Sequence, residues 1–236
     1  MLTMDAFSWN LVVAAAGVAI MHTILGPDHY LPFIMLARAG HWSRAKTALI
    51  TTLCGVGHIL SSLLLGGIGL LLGAAVRRLE VVEGMRGDWA AWGLVAFGVA
   101  YTLWGIRHAL RHAGQLDPHT HGDVVHLHTH GGRTHAHLDA RPARKTFWSL
   151  FVIFVLGPCE PLIPLFVLPA SRGRWDLAVF TGAFFGIITV SLMVSATLLG
   201  LAGLNRLPLG RLERWSHAMA GGVIALSGAA VLALGL

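Results

Sequence analysis

The sequence predicts an all-α integral membrane protein: six transmembrane helices arranged as two inverted three-helix repeats, each opening with a proline-broken helix. Three observations predict it. Apolar residues make up 55% of the 236 and charged residues only 12%, at a mean hydropathy of +0.69. That is more apolar surface than a soluble domain of this length can bury. Six stretches reach the roughly 20 apolar residues that a spanning helix needs. A Gly-Pro motif, finally, occurs once in each half at a matched place.

In chain order the stretches run over 7–37, 47–76, 89–111, 146–170, 176–204 and 214–236. Trp9, Trp89, Trp148, Trp175 and Trp215 fall at their starts, where an indole would sit among lipid headgroups. The residues before the first stretch, Met1 to Asp5, carry no basic region, and the stretch itself is too long for a signal-peptide core, so it is expected to stay in the mature protein. The longest connection divides the chain into a first three-helix repeat (1–111), a histidine-rich loop (112–145) and a second three-helix repeat (146–236). An odd number of spans in each half inverts one half relative to the other in the membrane.

A net charge of +6 would point to nucleic acid in a soluble protein, but here the cations lie between apolar stretches and report orientation instead. Arg38, Arg44, Lys46, Arg107, Arg111, Arg133, Arg141, Arg144, Lys145, Arg206, Arg211 and Arg214 occupy the first, third and fifth loops; only Arg77, Arg78, Arg86, Arg172 and Arg174 occupy the second and fourth. The odd loops are therefore expected in the cytoplasm and both termini outside, in a bacterial inner membrane. The partners expected are the lipid bilayer and a metal ion, with no nucleic acid and with room for a homo-oligomer.

The repeat reads Gly26-Pro27-Asp28-His29-Tyr30-Leu31-Pro32 in the first half and Gly157-Pro158-Cys159-Glu160-Pro161-Leu162-Ile163-Pro164 in the second. Matched glycine and proline interruptions are the sequence pointer to a midplane site built from discontinuous helices. Of the 11 acidic residues, all but Asp28 and Glu160 read as loop or segment-end positions. An acid at the bilayer centre costs about +2.5 to +3.5 kcal/mol, so each of these two needs a partner, a cation or water.

The surrounding residues supply ligands. His22 and His29 lie seven apart, two helical turns, and share a face if the helix continues that far. His58 lies midway along the second stretch and Cys159 precedes Glu160. Imidazole, carboxylate and thiolate together suit a divalent first-row transition metal better than magnesium or calcium, which prefer oxygen alone. The prolines at 27, 32, 158, 161 and 164 also free backbone carbonyls at the level of the acids. His58 equally reads as an interhelical hydrogen-bonding residue, Asp28 with His29 as a structural pair, and Cys54 as a packing residue.

The 112–145 loop carries a second signal, with His119, His121, His126, His128, His130, His135 and His137 accompanied by Asp117, Asp123 and Asp139. Alternate histidines on an extended chain point the same way, so such a tract reads as metal-binding, and as disordered without metal. A merely soluble or pH-responsive linker is the plainer alternative. No phosphate-binding glycine loop and no hydrolytic triad can be assigned, so no enzyme activity is expected.

At these residues the chain resembles the nickel/cobalt transporter group, including nickel/cobalt efflux proteins and urease-associated nickel permeases, within the wider lysine-exporter-like superfamily. The resemblance is topological over most of the chain and motif-level over little of it. It maps the family's histidine followed by Asp-His onto His22, Asp28 and His29, and the histidine of the following helix onto His58. One departure is the spacing, since the residues from Thr23 to Pro27 make the interval one longer than in the importer signature. Some efflux members look similar in carrying a histidine-rich cytoplasmic loop between their third and fourth helices, which implies export.

The Gly157-Pro158-Cys159 segment also resembles the Pro-Cys motif of membrane thiol reductases used in cytochrome c biogenesis, which need a reactive cysteine in each half. Here Asp28 stands at the matching first-half position and the other thiol, Cys54, belongs to the next stretch. The leading expectation is thus a carrier whose substrate is nickel or cobalt, with zinc, iron or copper served by the same ligand types. A thiol-disulfide electron carrier and a small-solute exporter of the same superfamily are the alternatives.

Overall fold

The computed structural model describes residues 5–73, 76–111, 120–121, 124–125, 140–208 and 210–234. Its helices are α1 (Ala6–Leu25), α2 (Leu31–Ala39), α3 (Arg44–Leu71), α4 (Val76–Arg111), α5 (Ala140–Leu156), α6 (Leu162–Ser171), α7 (Trp175–Leu204) and α8 (Ser216–Leu234). Single 3-10 turns cover Pro27–His29 and Gly210–Trp215. Between α4 and α5 a two-residue ladder pairs Thr120 with Val125 and His121 with Val124. His119, His126, His128, His130, His135 and His137 lie outside the described residues, and 140–145, expected as the end of the loop, form the start of α5.

Local chemistry sets the boundaries. Asp5 caps α1 by accepting from the Ser8 amide at 2.9 Å, and Ser43 caps α3 by accepting from the Lys46 amide at 3.2 Å. At the other end of α1 the Gly26 amide makes the last regular bond, to His22 at 3.0 Å. Pro27 then has no N–H to offer, and the chain turns through Pro27–His29 before α2 begins. The second break falls after Leu156, where Pro158 and Pro161 interrupt the ladder before α6 resumes.

Among the described residues, five helices are long and apolar enough to cross a membrane: α1, α3, Arg78–Arg111 of α4, α7, and Leu212–Leu234, which includes α8. The stretch 146–170, expected as a single broken span, consists of the shorter apolar helices Thr146–Leu156 and Leu162–Ser171. Large apolar side chains face outward along the long helices, Leu64, Leu71, Leu199 and Leu226 among them, as a lipid environment requires. The chain fits an integral membrane protein.

The third stretch departs most from expectation. It was bounded at 89–111, with 77–88 as a connecting loop, because Arg77, Arg78, Glu80, Glu83, Arg86 and Asp88 crowd that segment. Instead α4 starts at Val76, and its first turns bury Leu79 and Glu83. Trp89 consequently lies inside α4 rather than at its start.

Helix α4 packs along α8, and α3 packs against α7, with α5 and α6 against α3 and with α2 against α7 and α8. The α4–α8 seam is made of backbone. A Cβ at Gly98 or Gly105 would strike the backbone at Ala225 or Ala218, and one at Gly228 would lie 2.8 Å from the Ala91 carbonyl. Small residues that let backbones touch are the ordinary means of joining membrane helices, where lipid competes for apolar contact. The interior is filled by apolar groups around Leu11, Phe185 and Leu177, around Phe33, Leu150 and Met193, and around Ile163, Phe166 and Val167.

Candidate metal centre

Three histidines converge where the first break meets α3. His22 sits in the last turn of α1, His29 closes the 3-10 turn, and His58 projects from α3. One nitrogen of each lies within 4.8 Å of the others. Their ring centroids are 4.7 Å apart for His22 and His29, 5.3 Å for His29 and His58, and 6.3 Å for His22 and His58. The longer His22-to-Asp28 interval is absorbed by the break itself. Because α1 ends at Leu25, the face relation between His22 and His29 is set by the turn and not by a continuous helix.

Hydrogen bonds on the far side of two rings determine what they present. His58 Nδ1 lies 3.3 Å from the Phe154 carbonyl, which only accepts, so that nitrogen carries the proton and Nε2 keeps its lone pair. His29 Nδ1 lies 3.2 Å from Asp28 Oδ1, which likewise calls for a proton on Nδ1. Both Nε2 atoms are buried, and no described residue hydrogen-bonds either of them. A buried acceptor left unpaired costs about 1–3 kcal/mol, so these two are open to a donor, a water or a cation. A histidine that holds a metal through one nitrogen while donating the other N–H to a carboxylate or a carbonyl is the standard second-shell arrangement.

Gly26 is required by this geometry. A Cβ there would collide with the His29 ring, at Nδ1 and, at 2.9 Å, Cε1, and would meet Asp28 Oδ1 at 3.0 Å. Cys159, wholly buried, places its sulfur 3.9 Å from His22 Nε2, adding a soft donor from the second break. Cys54 is also buried and free, but it packs with Phe33, Leu36 and Met193 in a different apolar cluster.

A cavity of about 390 Å³ joins the cluster to the second break; His22, Asp28, His29, His58, Phe154 and Glu160 are among its lining residues. Glu160 was expected beside Asp28 as a ligand. It is exposed and outside the histidine group, with its carboxylate over Gly84 of α4, where a Cβ would lie 3.5 Å from Oε1. Glu80, Glu83 and Asp88 of α4 are its electrostatic neighbours.

Sequence reasoning missed Glu83. It is completely buried, pairs with Arg86 one turn on, and accepts from the Ser62 hydroxyl at 3.0 Å and the Cys159 amide at 3.2 Å. The available signal was the i, i+3 spacing of Glu83 and Arg86 among Leu79, Val82 and Met85, a pattern that reads as helix as readily as loop. His121 belongs to the two-residue ladder.

Comparison of the chain with family models, with curated proteins and with solved structures found no match.

Proposed function

We propose that the chain carries a divalent transition-metal cation across a membrane, with nickel or cobalt as the leading substrates, through a site formed by His22, His29, His58 and Cys159, with Asp28 as charge partner. One observation carries this reading: two buried Nε2 acceptors, each with its proton held on the opposite nitrogen, belong to a group of three imidazoles, one nitrogen of each lying within 4.8 Å of the others. Zinc, iron and copper fit the same ligand types.

In this reading the chain has six spans, the sixth made by α5 and α6 together, and two inverted three-helix repeats. Exchanging α1 with α5, α2 with α6, α3 with α7 and α4 with α8 carries the α1–α7 packing onto α5–α3, α2–α7 onto α6–α3 and α2–α8 onto α6–α4, which supports it. The α3–α7 and α4–α8 contacts map onto themselves. The site then lies between repeats, His22 and His29 from one break and Cys159 from the other.

Arginine placement in the sequence supports an orientation with both termini outside and the histidine-rich loop in the cytoplasm. The loop histidines gather cytoplasmic metal, and export is the direction. Ligands must be deprotonated to bind, so metal and protons compete and proton-coupled export follows. Glu160, over the α4 carboxylates at the cavity lining, serves as the station between the inner ligands and the mouth. Proteoliposomes loaded with nickel, cobalt, zinc or iron test the reading: His29→Ala and His58→Ala are expected to abolish flux, and parental flux in both would sink it.

A further inference from the structure

An uninterrupted helix through the second break would have the Cys159 amide donate to the Val155 carbonyl four residues earlier. That bond is open, and its two halves are taken by the two ends of one ion pair on α4. The Cys159 N–H donates to Glu83 Oε2 at 3.2 Å, and Arg86 Nη2 donates to the Val155 carbonyl at 2.7 Å. Ser62 Oγ shares the first contact, accepting from the same amide at 3.1 Å. Arg86 also donates to Ser61 Oγ at 2.9 Å, and the Ser61 hydroxyl donates to the His58 carbonyl at 2.9 Å.

A fully buried carboxylate paired with a guanidinium is costly to desolvate, and similar-sized apolar residues often replace such pairs without loss of stability. What apolar residues cannot supply here is an acceptor for one freed peptide group and a donor for the other. We propose that Glu83 and Arg86 are positioning residues that hold the second break open, and thereby keep the Cys159 sulfur facing His22 as a metal ligand. The ligand role rests on the metal-transport reading; the hold on the break does not.

The test uses the full chain carrying Cys54→Ala, so that Cys159 is the sole thiol. Two charge-neutral double variants avoid an unpaired buried charge: Glu83→Gln with Arg86→Gln, which keeps an acceptor and a donor, and Glu83→Met with Arg86→Met, which removes both. N-ethylmaleimide labelling of Cys159 is expected to quicken about tenfold in the methionine pair, as loss of hydrogen bonding at a buried break implies, and to stay near the parental rate in the glutamine pair. Cobalt(II) titration should show a thiolate-to-metal charge-transfer band in the parent and the glutamine pair, and none in the methionine pair. Equal labelling rates in the two double variants would overturn the proposal. Absence of cobalt binding by the parent would instead remove the metal reading, and the labelling rates would still decide whether the pair holds the break.

Discussion

The Nδ1–H of His58 donates to the carbonyl of Phe154, 3.3 Å away on α5. That carbonyl is the one Pro158 leaves without its helical donor, four residues on, though the Gly157 amide also reaches it at 3.2 Å. A proline in the second half thus orients a histidine of the first. Restoring an amide with Pro158→Ala gives Phe154 a competing donor and should weaken metal binding about 10-fold, the lower end of second-shell effects. Calorimetric titration of nickel into the chain lacking residues 112–145 measures it, and an unchanged affinity would refute the coupling.

Asp28 holds the proton of His29 on Nδ1. Asp28→Asn keeps an acceptor oxygen and loses the charge, whereas Asp28→Ala loses both. The expected order is a loss of about 10-fold for asparagine and about 100-fold for alanine in metal affinity. Equal losses would mean that Asp28 acts only by charge.

Gly26→Ala introduces a methyl into the space of the His29 ring. Overpacking of this kind costs about 1–3 kcal/mol, and relief requires the imidazole to move. Thermal unfolding in detergent should fall and metal affinity should fall with it. Gly17→Ala, whose Cβ meets nothing within 4 Å, is the matched control: inside α1 it should raise stability by about 0.5–1 kcal/mol and leave metal affinity unchanged.

The Asp5 carboxyl is held down to about 2 by the Ser8 hydroxyl, then by the Ser8 amide and by Arg174. Its folded value lies below the ordinary 3.8, so its contribution to capping α1 is complete above 3.8 and is lost as pH falls through about 2. Hydrogen exchange at the first turn of α1 should therefore quicken over that acid window, and Asp5→Asn should remove the pH dependence. The carboxyl is exposed, so added salt should weaken its link to Arg174.

Deleting residues 112–145 separates loop chelation from the inner site. Elemental analysis of the purified deletion protein should still find bound metal, and adding His29→Ala should remove it. Metal lost with the loop alone would leave the three-histidine cluster without its assigned role.

The helical class, the positions of both breaks and the candidacy of His22, His29, His58 and Cys159, which the fold brings together, were legible in the chain, because composition, proline and residue type act locally. The start of α4 was not. Six charges in 77–88 read as a water-exposed loop, and only the placement of Ser62, Cys159 and Val155 around Glu83 and Arg86 makes burying Glu83 and half-burying Arg86 tolerable. For Glu160 only its level in the first span of the second half was legible; the break sets its carboxylate over Gly84, outside the three-histidine group but on the same cavity lining. The amino-acid order by itself determined which groups are available and where the helices must stop, since a proline lacks its donor in any fold. Which nitrogen of His58 faces the cavity, and which carboxylate is buried, depended on hydrogen bonds between residues 96 and 76 positions apart, His58 with Phe154 and Cys159 with Glu83, and those exist only after the helices have packed.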